Sequence, residues 1–185
     1  MKELFEAIRA GDAARVKALI EVDPSLAIFA ACIQGETEQI EQLLSADRSL
    51  VSKLSEDGWT PLHLAAFFGQ GSAARALLNK GAEVNARSTN AMQNTALHAA
   101  AAGRHTEIAK LLIERGANVD ARQHGGWTAM HAAAQHGDLP LAEILATAGA
   151  DLSARAENNQ RPVDLAFTKG HPAMIEFLEA HGATL

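Results

Sequence analysis

A four-fold echo leaves this chain little freedom in how it folds. TPLHLAA begins at Thr60, TALHAAA at Thr95, TAMHAAA at Thr128 and RPVDLAF at Arg161, so successive starts lie 35, 33 and 33 residues apart. A second marker keeps the same step: GAEVNAR from Gly81, GANVDAR from Gly116, GADLSAR from Gly149 and GATL from Gly182. Two markers with one period define a structural repeat. A unit this short cannot bury its own apolar face, so each must be covered by the next, and a stack results.

Each unit reads as two short helices. Thr60 is a good N-cap and Pro61 suits the first helical position, where no backbone donor is needed. Leu62, Ala65 and Ala66 form a small apolar face, and Gly69 ends the helix in a left-handed conformation. Ala73, Ala74, Leu77 and Leu78 mark a second helix, which Gly81 stops. Small residues on one helix and large ones on the other predict a curved stack with a concave face. Two weaker units precede these, LFEAIRAGDAARVKALIEVDPSLA and IFAACIQGETEQIEQLLSADRSL, whose Gly11 and Gly35 are only 24 residues apart.

The motif T-P-L-H-x-A at this period resembles the ankyrin repeat. The resemblance implies an all-α ankyrin-repeat solenoid of antiparallel helix pairs with protruding hairpin fingers. One domain over 1–185 is expected, in units of about 1–26, 27–54, 55–88, 89–122, 123–155 and 156–185. The first and last units act as caps, the first lacks a finger, and no further domain is expected after GATL. Asp164 replaces the motif histidine in the last unit. Arg104 stands where glycine is expected, and Gln93 replaces the turn glycine of Gly58 and Gly126. With two extra residues before Gln93, Ser88 to Asn94 should form a longer finger.

Composition excludes several classes. No apolar run approaches the ~18 residues of a membrane span, and MKELFEAIRAGDAARVK has neither the apolar stretch nor the cleavage site of a secretory signal. A single cysteine, Cys32, forbids an internal disulfide and fits a reducing cytoplasm; in the string AACI it reads as a buried, inert thiol. The net charge of −6 argues against nucleic acid as a partner. The first 58 residues hold eleven acids and six bases, a net −5.

Chemistry is weakly signalled. His63, His98 and His131 recur three residues after the N-cap threonine, from where an imidazole reaches back as in a capping box. His105, His124 and His136 could approach one another across repeats, but no zinc-ligand spacing supports a metal. No phosphate loop or nucleophile elbow is present. The chain therefore reads as no enzyme, with no cofactor.

Binding is signalled better. The family resemblance implies that partner proteins lie across the finger tips and the inner face of the first helices. There the chain carries Trp59 and Trp127, each just before an N-cap threonine, together with Phe67, Phe68, Met92 and His136. The tryptophans could instead staple onto Leu64 and Ala132. Neighbouring helical residues point about 100° apart, so one phenylalanine should enter the core and Phe68 should face the groove. Lys53, Arg87, Arg122 and Arg155 recur once per repeat and predict a basic ladder, attracting an acidic segment unless Glu83, Asp120 and Asp151 neutralise it. A monomer is expected, with Phe67–Phe68 dimerisation as the alternative. The resemblance also marks Asn85, in VNA, as a position for asparagine modification.

Overall fold

The computed structural model describes residues 1–183. Among these, the helices pair in chain order: α1 (Lys2–Arg9) with α2 (Ala13–Val22), α3 (Leu26–Gln34) with α4 (Thr37–Ala46), and α5 (Pro61–Phe67) with α6 (Gly71–Asn79). Then follow α7 (Ala96–Gly103) with α8 (Thr106–Glu114), α9 (Ala129–His136) with α10 (Leu139–Thr147), and α11 (Pro162–Lys169) with α12 (Pro172–Ala180). First helices pack in the row α1–α3–α5–α7–α9–α11, and α4, α6, α8, α10 and α12 form a second row. The all-helical stack matches the expected solenoid.

Alanine sets how closely the first row packs. Ala65, Ala66, Ala99, Ala100, Ala133 and Ala134 are fully buried between first helices, while Leu77, Leu112 and Leu145 fill the space beneath the second row. Cys32 is fully buried, and burial pushes its thiol far up, so the thiolate nucleophile does not form there. The last pair departs from a polar cap: Phe167 is 65% exposed at the position where Ala66, Ala101 and Ala134 are buried.

Polar side chains tie each repeat to the next. Thr60, Thr95 and Thr128 each form a capping box with the histidine three residues on. The threonine N–H donates to Nδ1 of His63, His98 and His131 at 3.4, 3.2 and 3.2 Å. Nδ1 is therefore the acceptor, and Nε2 donates to the next finger: to the carbonyl of Asn94 at 2.9 Å, Trp127 at 3.2 Å and Gln160 at 3.2 Å. Burial lowers the pKa of all three imidazoles, that of His98 to about 4, so each stays neutral.

A second rung lies at the other end of the first helices. His105 Nε2 donates to the Phe67 carbonyl at 3.0 Å and His171 Nε2 to the Gln135 carbonyl at 3.1 Å. This explains the glycine after α5 and after α9. Gly69 and Gly137 have φ of +76° and +64°, and a Cβ there would lie 2.6 Å from His105 and 2.8 Å from His171. Arg104 takes the same left-handed conformation (φ 60°) despite its side chain.

Fingers close by a backbone bond from residue 55 to 59, 123 to 127 and 156 to 160, but from 88 to 94 in the fourth pair. The 88–94 finger is two residues longer, as its sequence predicts, and Gln93 adopts φ 48° at the turn. Residues 23–25 join α2 to α3 directly, so the first pair has no finger.

In the last pair Arg161 and Asp164 replace threonine and histidine. The guanidinium donates twice, from Nε at 2.9 Å and from Nη2 at 2.7 Å, and holds the Asp164 carboxyl below the usual range.

Candidate functional site

Two tryptophan-walled hollows lie along the row of first helices. The first, of about 410 Å³, is lined by Phe5, Ser55, Asp57, Trp59, Leu64, Phe67 and Phe68. Its rings form a chain: Phe5 stacks on Phe68 at 5.7 Å, Phe68 meets Phe67 edge-on at 5.3 Å, and Phe67 meets Trp59 edge-on at 5.5 Å. Such pairs add roughly 0.5–1.5 kcal/mol each beyond area burial, so the wall is preformed.

This corrects the expectation that one phenylalanine enters the core. Phe67 is 37% and Phe68 36% exposed. Phe67 is the last residue of α5 and Phe68 its C-cap, whose N–H still bonds the Leu64 carbonyl at 2.9 Å, so both rings lie at the helix end and neither is covered by the core. Phe5 is the member that sequence reasoning missed. Because the first pair lacks a finger, α1 comes near enough for Phe5 to reach past the second pair, and the Met1 ammonium lies 2.6 Å from Glu56 in the finger beyond. The 24-residue spacing of Gly11 and Gly35 was the one available signal.

The second hollow, of about 140 Å³, is lined by His98, Ala102, Gln123, Trp127, Thr128, Ala132, Gln135 and His136. Trp127 lies 5.4 Å from the His131 ring, as Trp59 lies 5.9 Å from His63. The buried Nδ1 of His136 has no hydrogen-bond partner among the described residues. Trp59 shares its hollow with Leu64, and Trp127 shares its hollow with Ala132.

The arginines recur as expected, and each commits its Nη1 to a finger carbonyl. Arg87 Nη1 donates to the Gln93 carbonyl at 3.3 Å, and Arg155 Nη1 to the Asn159 carbonyl at 3.3 Å. Arg122 Nη1 donates to the carbonyls of Gly126 at 3.2 Å and Arg155 at 2.6 Å. These side chains brace the finger turns. Among the described residues, Glu83, Asp120 and Asp151 form no ion pair with them; Glu83, Asp120 and Asp151 accept backbone N–H groups instead. Asn85 likewise bridges repeats, accepting from the Asn118 N–H at 2.8 Å and donating to the Gly116 carbonyl at 3.1 Å. Met92 is 48% exposed on the longer finger.

His105, His124 and His136 do not assemble a metal site: among the described residues no group of three potential ligands converges. His105 is instead bound to Phe67. No helix among the described residues is long and apolar enough to cross a membrane.

Stacked helix pairs, hairpin fingers and a threonine–histidine box in each central pair define a helical repeat protein. A family profile, Ankyrin repeats (3 copies), matches residues 4–88 and 86–156. The chain belongs to the ankyrin-repeat family, whose members generally serve as protein-interaction modules. It is 39% identical over 84 residues to human (Homo sapiens) Ankyrin repeat and KH domain-containing protein 1, covering 45% of this chain and 3% of that protein. It is 40% identical over 84 residues to Ankyrin repeat and KH domain-containing protein mask of Drosophila melanogaster, again 45% of this chain and 2% of that one. A Caenorhabditis elegans Transient receptor potential cation channel subfamily A member 1 homolog is 36% identical over 81 residues, 44% of this chain and 6% of the relative. The chain thus matches only a few per cent of the length of each relative.

Proposed function

We propose that this chain works by binding, not by catalysis: as a monomeric stack in the cytoplasm it holds a partner protein in the groove of its first helices. The observation that carries this reading is the preformed aromatic wall of Phe5, Trp59, Phe67 and Phe68, exposed in a hollow of about 410 Å³. Rigid rings on packed helices lose little entropy on binding, and aromatic anchors dominate interface energies. Trp127, His136 and Met92 extend the contact surface toward the later repeats, with the positive charges of Arg87, Arg122 and Arg155 at its edge for an acidic stretch of the partner.

Photo-crosslinking in the source cells tests this. A benzophenone side chain placed at Phe68 should form an adduct with one partner protein, and the same group at Arg75, exposed on α6, should not. Phe5→Ala should weaken that partner's binding tenfold or more, following the ~2 kcal/mol typical of a hot-spot truncation. Adducts formed equally well at both positions, or only at Arg75, would overturn the groove assignment.

A further inference from the structure

The groove changes character along its length, and the change has a register. Aligning each first helix on its capping threonine puts Phe67 and Phe68 at the positions held by Ala102 and Gly103 in the next repeat and by Gln135 and His136 in the one after. The tryptophan position reads Trp59, Asn94, Trp127 in the same order. Two walled hollows are thus separated by one repeat whose rim carries almost no side chain. Gly103 keeps that rim low, since a Cβ there would lie 2.5 Å from the Phe67 carbonyl oxygen.

The two hollows differ in chemistry. The first is walled by rings and by Leu64, with Asp57 at its edge; among the described residues that carboxylate has no cationic partner, and exposed Glu56 adjoins it. The second is a third of the size, too small for anything but one side chain against the ~300 Å³ of an ordinary ligand site. It offers the Gln123 and Gln135 amides and the unpartnered Nδ1 of His136, with Arg122 adjoining Gln123. A buried nitrogen without a partner is unfavourable, and where it carries the ring proton an incoming acceptor relieves it.

We propose, resting on the groove reading above, that this is a two-anchor site for an extended segment of a partner protein. A bulky apolar side chain flanked by a basic residue fills the first hollow, facing Asp57. A carboxylate side chain fills the second, accepting from His136 and the glutamine amides, with Arg122 beside Gln123. Packed helices lie 8–10 Å apart, so the hollows, two repeats apart, are separated by roughly 16–20 Å. An extended chain advances ~3.3 Å per residue, which sets the anchors about five or six residues apart.

The two tryptophans, one per hollow, are the only ones in the chain, so their indole N–H signals report each anchor separately. The probes are alanine–serine peptides carrying an Arg-Phe pair and a glutamate at separations of about 2 to 9 residues, titrated into the 15N-labelled full chain, with Trp127→Phe assigning the signals. Peptides with about five or six residues between anchors should move both indoles and bind at least tenfold tighter than an Arg-Phe peptide without glutamate. His136→Ala, or Gln135→Ala, should remove that gain and leave the Arg-Phe peptide unaffected, as should Glu→Gln in the peptide. Affinity independent of separation, or a Trp127 indole that never moves, would overturn the two-anchor site. If the benzophenone at Phe68 still captures a partner in that event, the groove reading survives it; if neither experiment succeeds, both fail.

Discussion

The first two helix pairs and the three that follow stack in one row but are held together by different chemistry. Between Ser55 and Gln160 each repeat is tied to the next by a buried imidazole, its box threonine and a finger carbonyl. The first two pairs have neither box nor histidine, and their contact is apolar, through Leu4, Ile28, Phe29, Ile40 and Leu44. One shape can thus be kept by a polar ladder that fixes register or by close packing alone. The two respond differently to acid and to backbone substitution.

Acid should separate them most strongly. An unfolded histidine titrates near 6.5 and folded His98 near 4, so between these values the unfolded chain binds more protons. Stability present above about pH 6.5 is lost as pH falls toward 4, roughly 3 kcal/mol from His98 alone at 1.36 kcal/mol per unit, with His63 and His131 adding in the same direction. Urea unfolding at pH 7.5 and 5 should read about 2 kcal/mol of the His98 loss, since pH 5 lies about 1.5 units below 6.5. The first two pairs contribute none of it, and an equal loss in a His63→Asn, His98→Asn, His131→Asn variant would refute the attribution.

Glycine substitution should divide the regions next. Gly11 and Gly69 both have positive φ, but a Cβ on Gly11 meets nothing within 4 Å while one on Gly69 meets His105. Gly11→Ala should cost about 1 kcal/mol, the left-handed penalty. Gly69→Ala should cost about 3 kcal/mol, because His105 must also release the Phe67 carbonyl. Equal shifts in denaturation midpoint would show that the second rung contributes nothing.

The smallest effect is expected at the fingers. Arg122→Ala removes one donor shared by the Gly126 and Arg155 carbonyls at the protein surface, so global stability should change by less than about 1 kcal/mol. Amide hydrogen exchange at Gly126 and Glu157 should nevertheless quicken. Unchanged exchange would mean that the guanidinium braces nothing.

The stack was legible because its punctuation is chemical: threonine before a helix, glycine after it, histidine at one offset. Even the longer finger could be counted from residues 88–94. The site was half legible. Trp59 and Trp127 were found because they stand beside the motif, but Phe5 carries no motif and meets Phe68 only in three dimensions. The arginines recur visibly in the sequence, but the carbonyls they bond do not, because a guanidinium bound to a carbonyl depends on the fold of the finger. The phenylalanine pair was misjudged because both residues sit at the end of α5, where neither ring is covered by the core.

Phe5 has a consequence for how the molecule comes apart. In a chain of repeats where each touches only the next, unfolding spreads from a loose end, and the end unit frays on its own. The contact from Phe5 to Phe68 joins the first pair to the third, so the second cannot open without breaking it. Fraying of the first pair therefore also breaks a contact with the third, and it removes a wall of the aromatic hollow.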